Sequence, residues 1–175
     1  VCPLTAVQSE YHVMHSTVEF SGVLDVCAEL GIGFVPYSPL NRGFLGGAIN
    51  EFTRFDPDND NRQTLPRFQP EAIRANTKFV AALDAFGRPR GLTSAQVALA
   101  WLLNKKPFIV PIPGTTKLSR LEENIGATDI VLDAGDLLEI DYAASKIRLT
   151  GARYPEKLEK LTGRGTVKAK AEKGA

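Results

Sequence analysis

The sequence predicts an α/β fold built around a parallel β-sheet. Three short apolar runs rich in β-branched residues alternate with helical patterns along the chain. Strands that alternate with helices form βαβ units, and the strands of such units are parallel. Three parallel strands with only their own helices leave a sheet edge open, whereas such edges are normally covered or closed. We therefore expect further strands from sequence upstream of Val1.

The first half of the chain carries two of these strands and one helix. Ser16 and Glu19 have the spacing of a capping box and predict the start of the helix. We expect it to end at Gly31, because glycine is the preferred residue just after a helix. The apolar face of this helix is predicted to contain Phe20, Val23, Cys27 and Leu30. The three runs predicted to be strands are 5–9, 33–37 and 108–112.

A long polar stretch follows the second strand, from 38 to 70, and is dense in Asn, Asp, Arg and Pro. A loop of this length in a compact domain is expected to be functional or disordered. Further on, Thr93 and Gln96 form a second capping box, and the helix that they open is apolar nearly all round, which predicts deep burial. The remaining helices are predicted over 71–86, 117–125 and 133–146.

The composition, 43% hydrophobic and 23% charged over 175 residues, is that of an ordinary soluble domain with its own core. We expect one domain over 1–161 and a basic, disordered tail over 162–175. A formal net charge of +1 gives no global field that would hold nucleic acid or a membrane, so any anion site must be local and its ligand small. Cys2 and Cys27 are predicted to be free thiols, which favours the cytoplasm. No signal-like or membrane-spanning run is visible in the sequence.

The strongest local pattern for chemistry lies between Pro111 and Asn124, where a strand ends in a glycine turn and a helix begins. The free amides and the dipole at a helix N-terminus attract an anion. Lys117 and Arg120 add two full positive charges on the same side. This pattern predicts a phosphate site, and in (β/α)8 barrels such sites commonly follow the last strands. The alternative is a capped surface helix with incidental basic residues.

A second pattern covers residues 35–43, at the end of the second strand. An aromatic ring at a strand terminus, here Tyr37, can offer a flat face to a heteroaromatic ligand. The Ser38 hydroxyl and the following glycine-containing loop can contact a phosphate. Taken alone, however, this pattern is better interpreted as a core tyrosine followed by a proline turn.

Together, these motifs resemble the aldo-keto reductase family, and specifically the C-terminal half of its (β/α)8 barrel. The resemblance covers roughly residues 3–150, and the succession of motifs is more specific than any one of them. Asn41 departs from it, standing where the family often has glycine, and so does the pair Gly46 and Gly47. The resemblance implies a partial TIM barrel that holds the last three βα units and a C-terminal helix. The motifs that carry it are Gln8-Ser9-Glu10-Tyr11, Pro36-Tyr37-Ser38-Pro39-Leu40 with Arg42-Gly43, Leu65-Pro66-Arg67-Phe68, 95–101 and 111–124.

The resemblance also implies how the chain would bind NADP(H). Gln8 would hydrogen-bond the nicotinamide carboxamide, and Tyr37 would stack on the nicotinamide ring. The pyrophosphate would be lined by Ser38, Leu40 and Arg42. Glu123 and Asn124 would meet the adenine amino group. The residues implied to hold the adenosine 2′-phosphate are Gly114, Thr115, Thr116, Lys117 and Arg120.

In the family the catalytic tyrosine, lysine, aspartate and histidine lie in the first half of the barrel, so we expect this chain to contain none of them. His12 and His15 are predicted to be solvated loop residues without a catalytic role, and no metal site is expected. Tyr11, Tyr142 and Tyr154 show no accompanying lysine and aspartate in the sequence.

The expected function is the NADP(H)-dependent reduction of aldehydes or ketones to alcohols, with cofactor binding supplied by this chain and a missing N-terminal half-barrel as its partner. Two alternatives remain open at this point. One is a non-catalytic module that binds a nucleotide or docks to a partner. The other is a truncated fragment without function.

Overall fold

The computed structural model describes residues 2–162, so the predicted disorder of the tail beyond Thr162 lies outside the described residues. Strands β1 and β2 are each followed by helices along the chain. The strands span Ala6–Glu10 (β1) and Gly33–Tyr37 (β2). The α-helices span Val23–Leu30 (α1), Pro70–Gly87 (α2), Ser94–Lys105 (α3), Leu118–Gly126 (α4), Ala134–Ser145 (α5) and Glu156–Glu159 (α6). Single 3-10 turns occur at Thr17–Glu19, Phe44–Gly46, Asn61–Thr64, Pro66–Phe68, Arg88–Arg90 and Ala127–Asp129.

The sheet is parallel, as predicted, with β1 paired to β2 from Ala6 opposite Gly33 to Glu10 opposite Tyr37. The third predicted run follows the other edge of β2, where the Val110 amide donates to the Phe34 carbonyl at 2.9 Å. It forms only one β-bridge, between Phe34 and Ile109, and is less regular than a strand. Pro36 in β2 explains this irregularity, because proline has no amide hydrogen to donate to the Val110 carbonyl.

The two faces of the sheet have different surroundings. Phe34 and Ile109 are buried on the face that the helices cover. Gln8 lies opposite Val35 on the other face, and Gln8 is exposed. Val110, next along that face, is 59% exposed although it is apolar. Described residues therefore cover one face of the sheet and leave the other open, as in one side of a barrel wall seen without the rest of the barrel.

The core forms between the sheet and the helices α2, α3 and α5. Helix α3 is buried along most of its length, as predicted from its apolar sequence, and Trp101 at its centre is 2% exposed. The predicted capping box is confirmed, because Gln96 N donates to Thr93 Oγ1 and Thr93 N donates to Gln96 Oε1, both at 3.2 Å. Helix α3 thereby starts at a defined residue and directs Trp101 into the core.

The prediction for the start of the first helix is wrong. Residues Thr17–Glu19 form a 3-10 turn, and α1 begins only at Val23, after Gly22 with φ 80°. Glu19 does not cap this turn because its carboxylate accepts a 2.5 Å hydrogen bond from the Tyr11 hydroxyl. As a result Phe20 lies outside the helix and is 83% exposed. The helix ends at Gly31 as predicted, with φ 66°.

The apolar face predicted for this helix is also only partly right. Cys27 is buried, as expected, and Leu24 is buried beside it. Leu30, the last residue of the helix, is 63% exposed, and Val23 is only partly buried. The helix therefore contacts the core over a narrower stripe than the sequence indicates.

The polar stretch from 38 to 70 is folded onto the core at several points. Phe44, Leu45 and Phe68 are buried, and the Phe44 and Phe68 rings pack edge to face at 6.2 Å. These aromatic contacts show that the stretch is ordered at these points, in contrast to a disordered loop. Within residues 2–162, no helix is both long and apolar enough to cross a membrane.

Candidate functional site

A groove of about 580 Å³ lies between the turn after β2 and the start of α4. Its size is within the range of about 300–1,000 Å³ that is usual for small-molecule sites. The two predicted motifs meet here, although more than sixty residues separate them in the chain. Ten of the twelve predicted site residues line it: Ser38, Leu40, Arg42, Gly114, Thr115, Thr116, Lys117, Arg120, Glu123 and Asn124.

The wall formed by α4 is positively charged and rich in free amides. Within the described residues no side chain caps the start of this nine-residue helix, whose N-cap is Lys117. The Thr115 hydroxyl accepts from the Lys117 amide at 3.2 Å and thereby shapes the entry to the helix. The Lys117 and Arg120 side chains are exposed at the same end. The helix dipole and the two cations therefore favour an anion at this position.

The opposite wall is a tight turn that follows β2. Ser38, Asn41 and Arg42 have positive φ values of 51°, 46° and 54°. Each residue other than glycine costs roughly 1 kcal/mol in this conformation, and such strain concentrates at functional sites. Asn41 stands where the family often has glycine, and asparagine is one of the residues that tolerate this conformation best. The departure that the sequence shows at this position therefore leaves the turn intact.

Arg62 is a groove residue that sequence analysis missed. Its Nη1 donates to the Arg42 carbonyl at 3.0 Å, and its Nε donates to Asp60 Oδ1 at 2.9 Å. Its guanidinium also lies 4.7 Å from the centre of the Phe55 ring. Arg62 thus fixes the polar loop against the strained turn and adds a fourth basic side chain to the groove. No motif marked Arg62, because its position depends on contacts with Arg42 rather than on local sequence.

The two remaining predicted residues, Gln8 and Tyr37, lie outside the lining of this groove, at the end of the sheet. Gln8 is exposed on the open face, two residues before Glu10, which is paired with Tyr37. The Tyr37 hydroxyl is 3.4 Å from the Tyr154 hydroxyl and accepts a hydrogen bond from Arg153 Nη2. Gln8 and Tyr37 share one face of the sheet, because paired residues of parallel strands point to the same side.

Comparisons with known proteins identify the family of the chain. The sequence profile of the aldo/keto reductase family matches residues 1–145. The chain belongs to the aldo/keto reductase family. It is 41% identical over 152 residues to the probable aldo-keto reductase 1 of Glycine max, covering 87% of this chain and 43% of that protein. It is 39% identical over 157 residues to the aldo-keto reductase yakc of Schizosaccharomyces pombe, whose name specifies NADP(+), covering 89% of this chain and 46% of that protein.

Solved structures place the fold in the same family. A crystal structure of a thermostable aldo-keto reductase with the inhibitor epalrestat matches with a TM-score of 0.55 and 26% identity, over 78% of this chain and 38% of the other. The glycerol dehydrogenase of Gluconobacter oxydans matches in fold with a TM-score of 0.76 and 21% identity, over 87% of this chain and 46% of the other. The chain spans less than half the length of each of these relatives. The prediction of an α/β fold that is part of an aldo-keto reductase barrel is confirmed.

His12 and His15, near the end of the sheet, are less exposed than predicted. His12 of this aldo/keto reductase chain is fully buried, and His15 is half-buried. The Met14 amide donates to His12 Nδ1 at 3.2 Å, so the other ring nitrogen, Nε2, donates to Glu10 Oε1 at 3.0 Å. The prediction of solvated histidines is wrong because the loop folds back through mutual backbone hydrogen bonds between His12 and His15. Within residues 2–162, no three His, Cys, Asp or Glu side chains are grouped to hold a metal ion.

The buried histidines predict a loss of stability in acid. Burial lowers the pKa of His15 from its usual 6.5 to about 4, against the opposing charge of Glu10. Between these values the unfolded chain binds a proton that the folded chain does not, so the free energy of unfolding falls as pH falls from 6.5 to 4. We expect H15Q to weaken the dependence of the free energy of unfolding on pH in this range by the equivalent of about one bound proton. Urea unfolding at several pH values measures this dependence. An unchanged slope would contradict the assignment to His15.

A tyrosine, lysine and aspartate group that the sequence did not reveal lies on the covered side of the sheet. The Tyr11 hydroxyl bonds Glu19, and Lys105 Nζ is 3.4 Å from the same carboxylate and 2.7 Å from Asp141 Oδ2. Tyr11 is fully buried, however, and burial with the Glu19 hydrogen bond raises its pKa well above the usual range. Its proton is therefore held by Glu19, and the group joins three elements of the core instead of serving a substrate.

Proposed function

We propose that this chain binds NADP(H) for an oxidoreductase that reduces aldehydes or ketones to alcohols. The observation that carries the proposal is the convergence of the α4 N-terminus, Lys117 and Arg120 with the strained turn after β2 in one groove. Family membership and the NADP(+) in the name of the Schizosaccharomyces pombe relative support this cofactor. Bound NADPH would supply the hydride for the carbonyl carbon.

The groove fits a dinucleotide that carries an extra phosphate. Lys117, Arg120 and the amides of Gly114, Thr115 and Thr116 would hold the 2′-phosphate, because two cations compensate its second charge. Glu123 and Asn124 lie further along the same wall of the groove and would accept and donate hydrogen bonds at the adenine edge. A preference for NADPH over NADH follows from this arrangement.

The other end of the cofactor would extend toward the sheet. Ser38, Leu40 and Arg42 line the groove between α4 and the sheet end and would contact the pyrophosphate. Tyr37 would stack on the nicotinamide ring, and Gln8 would hydrogen-bond its carboxamide. Both residues lie on the open face of the sheet, which supports a nicotinamide position at the carboxyl ends of the strands. We assign the proton donor to none of the residues of this chain, and the free thiols support a cytoplasmic enzyme.

The test is a calorimetric titration of the full-length protein that carries this chain, with NADPH and NADH as ligands. We expect NADPH to bind at least about tenfold more tightly, because its 2′-phosphate gains charge-assisted hydrogen bonds. NADPH oxidation in the presence of a panel of small aldehydes and ketones then tests the reaction. Equal affinity for the two ligands would overturn the 2′-phosphate site. Tight binding without turnover would favour the non-catalytic nucleotide-binding module.

A further inference from the structure

The segment that follows α5 returns across α2 to the carboxyl end of the sheet. Asn76 on α2 is fully buried, and its side chain donates from Nδ2 to the Thr150 carbonyl and accepts at Oδ1 from the Thr150 amide, both at 2.9 Å. Gly151 has φ +87°, and a Cβ at this position would lie 2.8 Å from the Pro66 carbonyl oxygen. Only glycine therefore fits this close passage. The path of the segment is fixed by contacts that do not involve the sheet.

The segment places Arg153 against the end of β1. Arg153 Nε and Glu10 Oε2 form an ion pair, with side chains 20% and 3% exposed. Among the described residues neither atom has another polar partner, so the ion pair is the interaction that compensates the burial of both. A buried ion pair is weak evidence for stability, because apolar residues of similar volume often stabilise a protein as well or better. The ion pair therefore matters more for the group that Arg153 orients than for stability.

That group is Tyr37. Arg153 Nη2 donates to the Tyr37 hydroxyl, and the same guanidinium lies 4.8 Å from the centre of the Tyr154 ring. The Tyr154 hydroxyl is 3.4 Å from the Tyr37 hydroxyl. Arg153 therefore connects the carboxylate of β1 to the terminal aromatic ring of β2, and both partners come from fixed strand positions.

The protonation states keep this arrangement intact at neutral pH. Burial would raise the pKa of Glu10, but the His12 hydrogen bond and the charges of His12 and Arg153 outweigh it and lower the pKa to about 2. Burial and the Tyr154 hydrogen bond raise the pKa of Tyr37 to about 12, despite the Arg153 charge. Glu10 is therefore ionised and Tyr37 is neutral, so its hydroxyl accepts from Arg153 and keeps its own hydrogen.

We propose that Arg153 is a positioning residue that holds the Tyr37 ring in the orientation in which its face receives the nicotinamide. This role rests on the proposed function of the cofactor groove. An aromatic ring is free to turn about its side-chain torsions unless neighbours fix it, and a misoriented ring loses stacking contact. Arg153 belongs to the C-terminal segment, so this segment completes the nicotinamide end of a site whose phosphate end lies at α4.

The test compares two ligands that share the phosphate end and differ at the nicotinamide end. In the full-length protein, we expect R153Q to weaken NADPH binding by about tenfold, the usual scale of one aromatic stacking contact. The affinity for 2′,5′-ADP, which has no nicotinamide, stays unchanged. If Arg153 served folding alone, R153Q would lower the affinities for both ligands equally, and that result would overturn the proposal. Unchanged NADPH affinity in R153Q would overturn it as well.

Three variants complete the design. R148Q changes an exposed arginine of the same segment and leaves both affinities unchanged. Y37F keeps the ring but removes the hydroxyl that Arg153 holds. We expect it to lower the affinity for NADPH and not that for 2′,5′-ADP, and to cause no further loss of affinity when it is combined with R153Q. R153K keeps the charge beside Glu10 without the planar fork, and we expect partial recovery. If the unaltered protein fails to bind 2′,5′-ADP, the cofactor groove itself is wrong and Arg153 loses its role with it.

Discussion

We expect the reversal of both charges, Lys117 and Arg120 to glutamate, to lower the affinity for NADPH on the order of a hundredfold or more. Hydrogen bonds to charged groups contribute about 1.5–3 kcal/mol each, and the reversal also introduces repulsion of the 2′-phosphate. Both side chains lie at the start of α4 and line the groove. Titration of the full-length protein with NADPH measures the loss directly.

The reversal separates a binding effect from a folding effect. Glutamate is favourable in the first turn of a helix, because its charge complements the helix dipole, so α4 does not unfold in K117E/R120E. The affinity for NADH, which lacks the 2′-phosphate, falls much less. The matched control R74E/K78E makes the same charge change on exposed positions of α2 and leaves NADPH affinity unchanged. An unaffected NADPH affinity in K117E/R120E would eliminate the proposed cofactor site.

The groove was largely predictable because its two walls are local motifs at the ends of neighbouring strands. The turn after β2 and the start of α4 each have a recognisable sequence, and parallel strands bring their carboxyl ends to one edge. Arg62 escaped prediction because its loop position is set by contacts with Arg42 and Asp60. Arg153 escaped because it reaches Glu10 from the other end of the chain.

The two capping boxes show where local patterns stop being sufficient. Thr93 and Gln96 cap α3 because no other group within residues 2–162 takes their side chains in place of the helix start. Glu19 has the same spacing from Ser16, but it is drawn away by the Tyr11 hydroxyl and by Lys105. Both partners lie elsewhere in the fold, so the sequence around Ser16 carries no sign of the competition. The burial of His12 and His15 has a different, local cause, because their loop is closed by its own backbone hydrogen bonds.

Replacing Trp101 with alanine produces the largest expected loss of stability, about 3–5 kcal/mol in the free energy of unfolding. Trp101 is 2% exposed, its Nε1 donates to Asp141 Oδ1 at 2.7 Å, and its ring meets the Tyr11 ring edge to face at 5.2 Å. Alanine leaves a cavity, removes the partner of the Asp141 oxygen and takes away the ring that lies 4.5 Å from Lys105 Nζ.

Urea unfolding of the full-length protein measures this loss, with W101F and Y142A as controls. Phenylalanine keeps most of the buried volume and loses only the Asp141 hydrogen bond and part of the ring, so W101F costs clearly less than W101A. Tyr142, on α5 next to Asp141, is 65% exposed, and its replacement with alanine should change stability by only about 0.5 kcal/mol. A W101A protein as stable as Y142A would show that α3 does not organise the core. The buried contact between α3, α5 and the end of β1 would then contribute nothing to the wall that carries Glu10 and Tyr37.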